Sequence, residues 1–110
     1  MKVVIVIPAY NEERKIGNVI DSLREYGYND IVVVDDGSFD DTYDIVKQKN
    51  VVALHHIINR GLGGALNTGI TAALNKGADY IVTFDADGQH DPRDIKKLIH
   101  YLEQGYDVAI

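Results

Sequence analysis

Blocks of apolar residues along this chain switch in turn between a strand-like and a helix-like period. Residues 2–8 contain the run Val3-Val4-Ile5-Val6-Ile7. Consecutive β-branched residues predict a strand buried on both faces, stopped here by Pro8. Asn11 is placed to cap a helix with Glu12 and Glu13 in its first turn. Ile16, Val19, Ile20 and Leu23 then recur at helical spacing up to Gly27. Residues 30–35 predict a second buried strand that ends in Asp35-Asp36-Gly37-Ser38. Ser38 with Asp41 resembles a capping box and opens a helix through about Lys49. Val51 to His55 is a shorter third strand. Gly61-Leu62-Gly63-Gly64 leads into a helix with Leu66, Ile70, Ala73 and Leu74 on one face, closed by Gly77. Residues 79–84 form a fourth strand. Residues 92–104 form a helix carrying Ile95, Leu98, Ile99 and Leu102, with Asp91 as cap and Pro92 in the first turn. Asp107-Val108-Ala109-Ile110 reads as the start of a fifth strand.

Strand and helix in alternation at this spacing predict an α/β fold: a mostly parallel, Rossmann-like sheet with helices on both faces, in three layers. Ligands of such sheets bind outside the carboxyl ends of the strands. The unusual residues fall there: Pro8 to Glu12 after the first strand, Asp35-Asp36 after the second, Asp85 to Gln89 after the fourth. The pattern stops within a strand, so the 110 residues are expected to be the front part of a longer, truncated domain. No linker or internal repeat divides residues 1–110, and the length suits about one domain.

Composition narrows the chemistry. Apolar content of 45% and charged content of 25% are those of an ordinary globular chain. A net charge of −6 argues against nucleic acid as a partner. No cysteine is present, which removes disulfides and thiolate metal sites and fits a cytoplasmic protein. No apolar run approaches a membrane span, so contact with a membrane would need segments beyond residue 110.

The sharpest local signal is Phe84-Asp85-Ala86-Asp87-Gly88-Gln89-His90-Asp91-Pro92. Two carboxylates at a strand end repel each other unless a cation lies between them. A hard divalent ion (Mg2+ or Mn2+), held by a few oxygens with positions open for phosphates, suits the pair. Such an ion also reconciles an acidic protein with a phosphate ligand. Asp36, on the tight turn at Gly37, reads as a carboxylate free to accept hydrogen bonds from a nucleobase edge or ribose hydroxyls. Asp35 fits a turn role better. Glu12 reads either as a binding residue or as a helix-dipole glutamate. Tyr10 either stacks on a base or packs, and Gln89 is either a ligand or a loop residue. Arg60, before the glycine-rich turn, either touches phosphate or lies on the surface. His55 and His56 point to opposite faces, so they read as packing or edge residues.

Pro8-Ala9-Tyr10-Asn11-Glu12, Val34-Asp35-Asp36-Gly37-Ser38, Asn59-Arg60-Gly61-Leu62-Gly63-Gly64 and the Asp85 to Pro92 segment, in this order, resemble the family 2 glycosyltransferases. The dolichyl- and polyprenyl-phosphate sugar transferases are nearest in pattern. The resemblance implies the GT-A fold, with residues 1–110 as the donor-binding part and the acceptor-binding part elsewhere. It implies that Pro8, Ala9, Tyr10 and Glu12 lie beside the nucleoside, that Asp36 binds the base, and that Asp35 is its neighbour. It makes Asp85-Ala86-Asp87 an Asp-x-Asp motif carrying the metal and the donor diphosphate, with Asp87 catalytic and Gln89 joining the metal shell.

The implied reaction is metal-dependent sugar transfer with inversion. The donor is a UDP- or GDP-linked sugar and the acceptor a polyprenyl phosphate or a glycan. The implied location is cytoplasmic, at the cytoplasmic membrane face in the full-length protein. A nucleotidyltransferase is the nearest rival, but the loop after the first strand, Pro8 to Glu12, has no glycine. A phospho-acceptor signalling domain wants its acidic pair after the first strand, whereas the pairs here follow the second and fourth. A nucleotide-binding module without catalysis is the third alternative.

Overall fold

The computed structural model describes residues 2–104. Its elements, in order, are β1 (Val3–Ala9), α1 (Ile16–Glu25), β2 (Ile31–Asp35), α2 (Thr42–Lys47), β3 (Val52–His55), α3 (Gly61–Asn75), β4 (Tyr80–Thr83) and α4 (Asp94–Glu103). The expected fifth strand at Asp107–Ile110 lies outside the described residues.

The four strands form one parallel sheet in the order β3-β2-β1-β4. β1 and β2 are buried through nearly their whole length because they are central and covered on both sides, as their unbroken apolar runs require. Ile5, Ile7, Ile31 and Val33 pack with Val19, Leu23, Val46 and Ile95, so α1, α2 and α4 cover one face. Val4, Val6, Val32 and Val34 pack with Ala65 and Ala73 of α3 on the other. The three-layer expectation is met. Chain direction explains the split: β1 to β2 to β3 steps one way across the sheet, and the return to β4 beyond β1 reverses it. A crossover of constant hand then places α3 on the opposite face. The reversal occurs between β1 and β4, the kind of position beside which open parallel sheets bind ligands.

α3 departs in part from its expected face: Ala73 is buried as expected, but the larger residues are not. Leu74 is 61% exposed and Ile70 lies at the surface, while Ala65, Gly69 and Ala73 are buried. The helix sits so close to the sheet that only small residues fit between them. A Cβ at Gly69 would stand 2.3 Å from Val6 Cγ1.

Three helix starts also differ from the sequence reading; α4 begins at Asp94, with Arg93 and not Asp91 at its cap position. α1 begins at Ile16, not after Asn11, and Asn11 adopts φ 53° in the preceding loop. α2 runs only from Thr42 to Lys47, and Ser38 does not cap it. Both polar side chains are spent on joining loops. Ser38 Oγ accepts the Asn11 N–H at 2.8 Å, and Asn11 Oδ1 accepts the Phe39 N–H at 2.9 Å. Thr42, fully buried, accepts the Glu12 N–H through Oγ1 at 2.9 Å and donates its hydroxyl to Asp40. Thr42→Val keeps the shape and strands the Glu12 N–H, a loss of about 1–3 kcal/mol. Urea unfolding should register that loss, and Thr42→Ser should recover most of it.

Candidate functional site at the carboxyl edge of the sheet

The carboxyl ends of all four strands carry the candidate residues, with Arg60 on the loop after β3. β1 runs on through Pro8, which is half-buried, to Ala9, which is buried, and Tyr10 just beyond it is 42% exposed. The Asp36 N–H donates to the Ala9 carbonyl at 2.8 Å, which continues the β1–β2 ladder one step past the strands. Glu12 is half-buried, and its carbonyl accepts from Lys15 and Ile16 as the chain turns into α1. The Ser38, Asn11 and Thr42 bonds hold this loop against the one after β2, so both present one connected surface.

Asp36 is not the free carboxylate that the sequence suggested, and Asp35 lies in β2 and not in a turn. Asp35 is 1% exposed and Asp36 is 4% exposed. Each pairs with a histidine from the end of β3. Register sets the pairing: Asp35 stands opposite His55 in the β2–β3 ladder, and His56 follows one residue on. Alternation then sends one pair to each side of the sheet. His55 Nδ1 lies 2.7 Å from Asp35 Oδ2, and its ring stacks on Tyr43 with centroids 4.6 Å apart. His56 Nδ1 lies 2.8 Å from Asp36 Oδ1, and its Nε2 lies 2.8 Å from Thr68 Oγ1 of α3. The Arg60 N–H also donates to Asp36 Oδ1, at 2.9 Å. Asp36 is therefore not free; one of its oxygens is engaged within the fold. Asp35 Oδ1 is the buried side-chain atom without a hydrogen-bond partner among the described residues.

The histidines were legible as facing opposite ways, yet their partners were not. The missing signal was the register of two strands, which brings distant residues to the same rung.

Burial alone would raise the Asp36 pKa. The Arg60 N–H, the His56 bond and charge, and the Gly61 N–H together outweigh it and hold the carboxyl below its ordinary 3.8. Asp40 behaves alike: burial raises, but the Thr42 hydroxyl and backbone N–H groups lower it further. A lowered folded pKa means that the ionised form stabilises the fold. That contribution is complete above 3.8 and is lost as pH falls through the folded values. Urea midpoints should therefore drop between about pH 5 and about pH 3, and Asp40→Asn should make the drop shallower.

Beyond β4, the alternation of burial continues through residues 84–87. Phe84 and Ala86 are buried in the core, Asp85 is exposed and Asp87 half-buried. Alternation so keeps both carboxylates out of the core that their neighbours enter. Gly88 turns the chain at φ 80°, and the Gln89 N–H donates to Asp87 Oδ1 at 3.0 Å. The Gln89 residue itself is exposed. His90 Nε2 lies 3.1 Å from Asp85 Oδ2, its ring edge-on to Phe84. Asp91 is committed to the turn into α4. It grips the Arg93 guanidinium at 2.6 Å and accepts the Arg93 N–H, and the side-chain bond holds its carboxyl below the ordinary value.

Among the described residues, no three His, Asp or Glu side chains form a closed metal cage. Two solvent-facing carboxylates fit a different kind of site. They offer hard oxygens to a divalent ion and leave most of its coordination sphere to a ligand and water. Arg60 is exposed at the entry to α3, beside Gly61 at φ 81°. A cleft of about 300 Å³ lies between α1 and the loop after β4, lined by Lys15, Asn18, Phe84, His90 and Pro92.

Comparisons with known proteins agree with this architecture. The family model described as Glycosyl transferase family 2 matches residues 4–110. An uncharacterized protein of Methanocaldococcus jannaschii is 52% identical over 99% of this chain and 45% of its own length. A UDP-N-acetylglucosamine–dolichyl-phosphate N-acetylglucosaminyltransferase of Methanococcus voltae is 46% identical over 86% of this chain and 45% of its own length. Among solved structures, glucosyl-3-phosphoglycerate synthase from Mycobacterium tuberculosis, in complex with Mn2+ and UDP-glucose, superposes with a TM-score of 0.78. It is 27% identical over 94% of this chain and 40% of that one. The chain thus spans less than half the length of these relatives.

Proposed function

The chain belongs to glycosyl transferase family 2, and from that premise we propose that it is the donor-binding part of an inverting, metal-dependent sugar transferase. Its donor is a nucleoside diphosphate sugar, UDP-linked in the first instance, and its acceptor a polyprenyl phosphate. The observation that carries this reading is the position of the acidic pair. Asp85 and Asp87 leave the core at the end of β4, beside the loop of β1 and across the point where strand order reverses. The UDP-glucose and Mn2+ of one structural relative and the dolichyl phosphate in the name of a sequence relative support the ligand classes.

In this reading Pro8, Ala9, Tyr10 and Glu12 line the nucleoside, and Asp36 meets it with the oxygen that His56 and Arg60 leave open. Asp35, paired with His55 on the other side of the sheet, is its neighbour in the chain. Asp85 and Asp87 would hold Mg2+ or Mn2+, with Gln89 beside them and Arg60 near the phosphates. Held there, such an ion would supply Lewis-acid neutralisation of the charge that gathers on the departing diphosphate. The anomeric carbon gains a bond to the acceptor oxygen on one face as its bond to the diphosphate oxygen breaks on the other. A phosphate acceptor is already ionised near neutral pH, so this segment needs no general base. Among the described residues no helix is long and apolar enough to cross a membrane. We place the work at the cytoplasmic membrane face, where a lipid phosphate is reached.

Calorimetry with UDP, with Mn2+ and with EDTA, tests the donor site on this chain. Binding that Mn2+ strengthens is expected. Equal affinity in both buffers removes the metal from the proposal.

A further inference from the structure

We infer that His56 is a positioning residue that aims Asp36 at the nucleoside. The inference rests on the donor-site reading above and adds to it the group that sets the direction of its central carboxylate. His56 is 8% exposed and spans three parts of the fold. Its backbone N–H donates to the Asp35 carbonyl at 2.9 Å, which anchors it to the end of β2. Its Nδ1 meets Asp36 Oδ1 and its Nε2 meets Thr68 Oγ1 on α3.

Asp36 Oδ1 is an acceptor only, so Nδ1 must carry the proton. Nε2 then either accepts the Thr68 hydroxyl proton or, in the imidazolium, donates to that oxygen. In both states the ring stays clamped between a strand end and a helix. Two donors, His56 Nδ1 and the Arg60 N–H, converge on the same carboxylate oxygen. That convergence fixes the torsion of the Asp36 side chain. It leaves Oδ2 as the oxygen to meet a base N–H or a ribose hydroxyl. A carboxylate held in one orientation before the ligand arrives binds more tightly than one that must be ordered on binding. Thr68 lies one residue before Gly69, where α3 packs against Val6 and Val34 of the sheet with no room for a side chain. The clamp is therefore mounted on a rigid part of the molecule.

The test is a double-mutant cycle on this chain, with UDP in EDTA as the probe so that no metal ion at the acidic pair after β4 contributes. His56→Ala should weaken UDP about tenfold or more, the range for a hydrogen bond to a charged group. His56→Asn, which returns an N–H close to the Nδ1 position, should restore most of that loss. Asp36→Asn should weaken UDP similarly, and adding His56→Ala to it should cost no more than about twofold further. If His56→Ala fails to fold, Thr68→Val, which keeps the ring and releases its far nitrogen, should weaken UDP in the same direction. A histidine that only supports the fold would lower Tm and leave UDP affinity unchanged, which overturns the inference. Additive losses overturn it too. Loss in Asp36→Asn without loss in His56→Ala overturns it while sparing the donor site. Full UDP affinity in Asp36→Asn, or no UDP binding by the parent chain, overturns the donor-site reading and the inference with it.

Discussion

With Asp87 replaced by alanine, UDP should bind with the same weak affinity in Mn2+ and in EDTA. The side chain stands at the surface of a turn and outside the core, so its removal should shift stability by no more than about 1 kcal/mol. Its loss from the proposed metal site is far larger. Removing a residue that merely orients a metal ligand costs about 10–100-fold in affinity. Removing a direct anionic ligand should cost at least that much of the Mn2+-dependent gain. Asp87 Oδ1 also accepts the Gln89 N–H in the Gly88 turn, so the alanine change alone mixes two effects. Asp87→Asn separates them: it keeps an acceptor for the turn and removes the charge. Both variants should lose the Mn2+ effect equally. If Mn2+ still tightens UDP binding in Asp87→Asn, the ion is held by other residues and the assignment of the acidic pair falls.

Gly69→Ala should destabilise the protein, against the usual sign. In an open helix interior, alanine for glycine gains roughly 1 kcal/mol through backbone entropy. At Gly69 the added carbon would stand 2.3 Å from Val6 Cγ1 and 3.2 Å from Val34 Cγ2. Val6 and Val34 are fully buried, β-branched and central in the sheet, so neither can turn aside. The helix must lift from β1 and β2, at a cost of about 1–3 kcal/mol. A loss of that size should lower Tm by several degrees, at about 4–8 °C per kcal/mol for a domain near this size. Gly63→Ala is the control within the same helix, for nothing lies within 4 Å of its added carbon. It should hold or raise Tm. A rise in Tm for Gly69→Ala would mean that α3 does not pack on the sheet as described.

The same helix shows where sequence patterning misleads. Its larger apolar residues mark a face with Leu74 and Ile70, yet these lie at the surface. The buried stripe of Ala65, Gly69 and Ala73 is nearly invisible to hydropathy. Transfer free energy favours burying leucine, but close approach of helix to sheet admits only small side chains. Geometry decides between them. The strands were plainer. β1 and β2 are apolar without interruption because they are buried on both faces, and that burial follows from a central place in a parallel sheet. Glycines 27 and 77 end α1 and α3 at φ 87° and 80°, as their positions after periodic segments foretold.

Period, strand order of appearance and the outward turn of Asp85 and Asp87 depend on neighbours two to four residues apart, so the amino-acid sequence alone determined them. The partners of Asn11, Ser38, Asp36 and His56 were settled only when β2 met β1 and β3 in a particular register. No local pattern carries that register. A polar side chain at a loop satisfies whichever group the sheet brings beside it, and an unpaired one is costly. The same serine or asparagine that would cap a helix in isolation therefore becomes a tie between two loops once the strands are aligned.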